Sequence, residues 1–164
     1  MGLTFPTPIM MLRQWSPGPM PKELLADREG YRRALTAVRK VPEPSRQEGR
    51  AYVRYWIGRL EFAIGYLDAI ESVKRAATAR QAAKEAKVKN DTQGFRTNLA
   101  EAAKQAQVAR TTAFRAIEAY AKVAKNRADL GAIATLAEYA YRPLKRKAEA
   151  LRAENAKAAT SDRP

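Results

Sequence analysis

Histidine and cysteine are both missing from the 164 residues of this chain. Their absence removes the usual proton carrier near neutral pH, the commonest zinc ligand, the thiol nucleophile and the disulfide. Long apolar runs are missing too: the longest, Phe62 to Leu67, has six residues, against the ~20 that cross a bilayer. The eight glycines are dispersed, and no G-x-x-x-x-G-K phosphate loop is formed. Met1 to Met11 carries no early Lys or Arg and is interrupted by Pro6 and Pro8, unlike a secretory leader. Pro6 also stands where a myristoylation motif wants Ser or Thr. A cytoplasmic location is therefore the default expectation. Ser16, Ser45, Ser72 and Ser161 have no histidine to activate them. The residue inventory predicts a protein that is not an enzyme and holds no metal or cofactor.

What is present is alanine and positive charge. Hydrophobic residues make up 46% of the chain, enough for a core in a single domain, although alanine makes that core thin. The net charge is +14, unevenly placed: residues 72–127 hold 13 Lys/Arg against 4 Asp/Glu. A patch of this kind attracts polyanions, with an affinity that falls as salt rises. Its aromatics, Phe95, Phe114 and Tyr120, sit at helical core spacing rather than as stacking platforms between basic residues. Nonspecific nucleic-acid binding at low salt is the partner this patch implies.

Five of the nine prolines lie in residues 1–21, which predicts an extended arm. Its Phe5, Ile9, Met11, Leu12 and Trp15 need cover and are expected to pack on the helical body. Residues 22–155 then read as a helical bundle and 156–164 as a fraying tail. The first helix covers about 22–40. Ser45-Arg46-Gln47-Glu48 matches a capping box that opens a second helix running to about residue 89. Val53, Ile57, Leu60, Ile64, Leu67 and Ile70 form its seam, and Tyr52, Tyr55, Phe62 and Tyr66 an adjacent aromatic stripe read as core. Residues 90–94 form a turn in which Asp91 or Thr92 caps a third helix with an alanine stripe from Leu99 to Ala124. Asn126–Ala128 breaks that helix. Asp129 is placed to cap a fourth, bearing Leu130, Leu136, Leu144 and Leu151, which Pro143 should kink near Arg142. The fold predicted is all-α: an antiparallel bundle of about four helices around one long central helix.

Two sets of positions stand out on the second helix. Gly58 and Gly65 lie seven apart on one face, and each costs ~1 kcal/mol against alanine, so a close helix contact is the reason expected for both. Glu61, Asp68 and Glu71 share one side, and neither Glu61 nor Asp68 has a Lys or Arg three or four residues away. Clustered carboxylates of this type serve di-iron bundles only beside Glu-x-x-His pairs, which a chain without histidine lacks. Interhelical ion pairs are the expectation, with Arg115 and Arg142 as the candidate partners.

Tyr55 to Asp68 (YWIGRLEFAIGYLD) and Arg127 to Leu144 (RADLGAIATLAEYAYRPL) resemble the C-terminal helical region of large bacterial glycoside-hydrolase-like proteins. In that family the sugar chemistry belongs to an upstream barrel, so the resemblance implies an accessory helical module with no catalytic residue of its own. The functional expectation is a non-catalytic module packing on another protein domain. The alternative is nonspecific nucleic-acid binding through residues 72–127.

Overall fold

The structure is a computed structural model that describes Met11 and residues 13–160. From Lys22 onward it comprises α1 (Lys22–Arg39), α2 (Gln47–Val88), α3 (Thr92–Ala121), α4 (Arg127–Leu136), a π-helical turn (Ala137–Tyr141) and α5 (Arg142–Thr160). Among the described residues there is no strand. This is an all-α bundle built on one long helix. At 42 residues α2 is about 63 Å long; α1 and α3 pack along it, and α5 packs on α3.

α2 and α3 form an antiparallel hairpin, and the turn between them is chemically specified. Asn90 takes φ 57°, its amide bonds the Lys87 carbonyl, and the Asp91 amide bonds that of Ala86. These two bonds satisfy the last orphan carbonyls of α2 in a Schellman arrangement. The Asp91 carboxylate then accepts from the Gly94 amide at 2.8 Å and starts α3. α3 buries Leu99, Ala102, Ala106, Ala109, Ala113, Ile117 and Tyr120 against α2. Small side chains let the two backbones approach closely. Gly58 and Gly65 belong to this contact: a Cβ on Gly58 would lie 2.5 Å from Val123 Cγ2, and one on Gly65 would lie 3.0 Å from Ala116 Cβ.

α1 lies antiparallel on the first half of α2, with Leu24 and Tyr31 buried. α5 runs back along α3 and buries Leu144, Ala148 and Leu151. Large side chains, including Phe62, Tyr66, Leu67, Ile70 and Leu136, fill the core where α1, α2, α3 and α4 meet. Towards the hairpin turn the core narrows to Ala76, Ala83, Ala102, Ala106 and Ala148 with Leu99 and Leu151.

Several local expectations are corrected. Arg46, not Ser45, is the N-cap of α2 and makes no side-chain cap, so the capping box at 45–48 is absent. The Arg50 guanidinium takes the Pro44 and Ser45 carbonyls at 3.1 and 2.7 Å, and Gly49 is pressed against the Pro44 ring. A reciprocal cap occurs instead at α4. Asn126 accepts from the Asp129 amide at 2.9 Å, and Asp129 turns back to accept from the Lys125 amide at 2.9 Å. Asp129 is thus inside the helix rather than its cap. Of the aromatic stripe only Phe62 and Tyr66 are core, while Tyr52 is 60% exposed; Phe114 and Leu130 are exposed as well. α5 is helical to Thr160, beyond the expected end of the bundle at 155. The disruption before Pro143 takes the form of the π turn, in which the Arg142 amide bonds the Ala137 carbonyl five residues back.

The described part of the arm is fastened to the middle of α2. Met11 is buried, and partly buried Trp15 touches both sections of the core. Lys74 is itself buried and donates to Ser16 Oγ at 3.0 Å and to the Pro17 carbonyl at 3.4 Å. The Gly18 amide donates to Thr78 Oγ1 at 2.9 Å. Phe5, Ile9 and Leu12 lie outside the described residues.

Candidate functional site

Three polar constellations lie on this frame. The most deeply buried is centred on Asp129, where the start of α2, the end of α3 and the start of α4 meet. Tyr120 and Tyr55 donate to its Oδ1 at 2.7 and 2.9 Å, and Arg59 approaches to 3.5 Å. The Arg59 guanidinium also lies over the Tyr120 ring, 4.3 Å from its centroid, and contacts the Tyr120 hydroxyl. Burial alone would raise the Asp129 carboxyl. The Lys125 amide, the two hydroxyls and the Arg59 charge outweigh it and hold the group below the ordinary carboxylate range. Burial and the bond to Asp129 push both tyrosines up, so they stay protonated donors. Every group here is engaged with another, and the arrangement braces three helix ends. The sequence reading missed this cluster; the one signal for it was Asn126-x-x-Asp129, the capping pattern credited to residues 45–48.

The second constellation joins α1 to α2. Arg28 donates to Asp68 at 2.9 Å and to Glu71 at 2.5 Å, Arg32 reaches Asp68 at 3.5 Å, and Arg39 bonds Glu61 at 2.8 Å. The hydrogen bond from Arg28 lowers the Glu71 carboxyl against the opposing effect of burial. All three acids singled out on α2 therefore pair across helices, but with α1. Arg115 and Arg142 are not their partners: Arg142 pairs with Glu138 four residues earlier, and Arg115 has no ion-pair partner among the described residues. Topology is the reason, since α1 covers the acidic side of α2 and brings Arg28, Arg32 and Arg39 to it. Among the described residues no three acidic side chains converge as metal ligands would.

The third is an open surface, and it brings Gly58, Glu61 and Arg115 together. They line a hollow of about 540 Å³ between the first part of α2 and the last part of α3, with Arg54, Ile57 and Val123. Gly65, Asp68 and Arg142 lie outside it. Two smaller hollows adjoin it. One, of about 230 Å³, is walled by Arg54, Tyr55 and Lys125. The other, of about 240 Å³, is formed by Val38, Val41, Val53 and Ile57 where α1 ends and α2 begins. Arg54 lines all three. Elsewhere the basic excess of residues 72–127 is partly neutralised: Arg75 pairs with Glu71, Arg80 with Glu154 and Lys122 with Glu118, and Lys74 lies under the arm. Lys84, Lys87 and Lys89 near the hairpin turn are exposed and have no carboxylate partner among the described residues. No described helix is long and apolar enough to cross a membrane. Compared with known protein families, curated proteins and solved structures, the chain has no significant match.

Proposed function

We propose that this chain is a non-catalytic helical module that packs against another protein domain through the surface centred on Arg54. The observation that carries this reading is the contrast between the buried and exposed polar groups. Asp129, Lys74 and Arg28 are each held by several bonds inside the fold, which supports a bracing role for these groups. At the surface, Arg54 and Arg115 flank hollows with aliphatic walls and carry no partner among the described residues. The resemblance of residues 55–68 and 127–144 to helical regions of glycoside-hydrolase-like proteins supplies a class for the partner, a larger hydrolase-like domain.

Recovery of the tagged full chain from its native cells after nuclease treatment, followed by reconstitution from purified components, tests the proposal. The expected result is a stoichiometric complex at ~150 mM salt, with a raised melting temperature for the chain in proportion to partner concentration. A second reading, nonspecific nucleic-acid binding, is favoured by the unpaired Lys84, Lys87 and Lys89. Recovery of nucleic acid alone, lost on nuclease treatment and weakening steeply with salt, would support it instead.

A further inference from the structure

We infer that the Arg54 surface takes an acidic amphipathic helix of the partner; this rests on the module reading and names the chemistry of what the module binds. The charge balance of the three hollows is the first ground. Every carboxylate in their linings already faces a cation: Glu61 bonds Arg39 at 2.8 Å, Glu118 lies 3.8 Å from Lys122, and Glu43 lies 4.0 Å from Arg50. Arg54, Arg115 and Lys125 remain without a carboxylate. Lys125 is held in place by the Ala51 carbonyl at 2.9 Å and by the Tyr55 ring, 5.3 Å from its centroid. The surface therefore offers three uncompensated cations, two of them planar guanidinium forks that match carboxylate geometry.

The second ground is the aliphatic hollow beside them. Val38, Val41, Val53 and Ile57 form it, and Val41 is 49% exposed. Arg54 and Ile57 belong to this hollow and to the larger one across the α2 ridge, so charge and apolar surface lie a side chain apart. On a helix, residues three and four apart present side chains about 5–6 Å from one another. An amphipathic helix with aliphatic residues on one stripe and Glu or Asp on its flanks meets both features together. Nucleic acid fits less well, because an aliphatic recess gives a base nothing to stack on. A second copy of the chain is disfavoured by its own net +14.

The test uses the folded full chain and a labelled synthetic 18-residue peptide of leucine and glutamate in helical amphipathic order, read by fluorescence anisotropy at ~150 mM salt. Comparators are the same peptide with serine for leucine and a mixed-sequence DNA duplex. Arg54→Glu/Arg115→Glu should weaken peptide binding at least tenfold, and Val41→Asp severalfold. Lys84→Glu/Lys89→Glu, with the same change of charge at the hairpin turn, should alter it less than twofold. Unchanged melting shows that the variants fold. Equal binding of the serine peptide, equal loss in the hairpin-turn variant, or tighter binding of the duplex would each overturn the inference. If a native partner is held equally well by Arg54→Glu/Arg115→Glu, the inference falls and the module reading stands. If no protein partner exists while the peptide binds through Arg54 and Arg115, the module reading is the one that falls.

Discussion

The two ends of the α2–α3 hairpin are built from the same helices by different means. At the open end, where α2 begins and α3 finishes, large side chains fill the core, α1 is strapped on by Arg28 and Arg39, and Asp129 ties three helix ends together. At the turn end the buried core is mostly alanine, with Leu99 and Leu151 as its large buried members and partly buried Trp15 and Phe95 against it. Small side chains make up that core, so each alanine lost removes little buried area. The difference assigns roles. The open end is specified by polar contacts between helices, and it carries the three hollows around Arg54; the turn end holds α2 and α3 in register.

The largest expected effect belongs to the open end. Asp129→Ala leaves Arg59 and two tyrosine hydroxyls buried around a missing carboxylate, and should cost about 3–5 kcal/mol in urea unfolding. The node also makes stability pH-dependent. Asp129 and Glu71 are both held below their ordinary range in the folded protein. Their contribution is therefore complete above the unfolded carboxyl range near pH 4 and declines as pH falls through the lower folded values. Asp129→Asn should flatten this acid-side decline, and an unchanged decline would remove Asp129 from the account.

Next comes Leu99→Ala at the turn end, expected to cost about 2–3 kcal/mol, the low end for a buried leucine because alanine-lined helices can close in. Hydrogen exchange should accelerate at amides of residues 80–105 and remain unchanged at 55–75; a uniform acceleration would mean that the two ends unfold as one unit. Gly58→Leu should cost about 1–3 kcal/mol by overpacking against Val123. Gly58→Ala should also lower stability, since the contact outweighs the ~1 kcal/mol gained in helix propensity; a rise in both variants would discard the close contact. The smallest effect is Asp91→Ala, about 1 kcal/mol, from loss of the cap on the Gly94 amide.

Periodicity made the helices legible, including the length of α2 and the alanine stripe of α3, because each residue's face follows from a repeat of 3.6. Which neighbour covers a face, and how far along, is a matter of topology. Helical spacing places Tyr52, Phe114 and Leu130 with core residues, yet they are exposed. Glu61 and Asp68 were marked as needing partners by what their own helix lacked, but only the placement of α1 identifies Arg39 and Arg28. The same cap pattern occurs at 45–48 and 126–129. It forms only at the second, where the acid also meets Tyr120 and Tyr55. Arg54 had no distinguishing signal, because its interest lies in the hollows that three helices form around it.

The π turn sets how α5 meets the rest. Leu136 and Leu144 both face inward although eight residues separate them, whereas two α turns take about 7.2. The surplus is absorbed between Ala137 and Tyr141, so the stripe of Ala148 and Leu151 beyond it remains in phase with the stripe of α4. Chain length in this stretch is thus counted by rotation rather than by reach. A loop would absorb the gain or loss of one residue; here loss of one residue would close the π turn into ordinary α-helix and keep α5 in phase, whereas gain of one more would turn α5 by about 100° and carry its leucines towards solvent. Lys147 would be swung inward in place of Ala148, making residues 137–141 a phase joint that accepts no further residue.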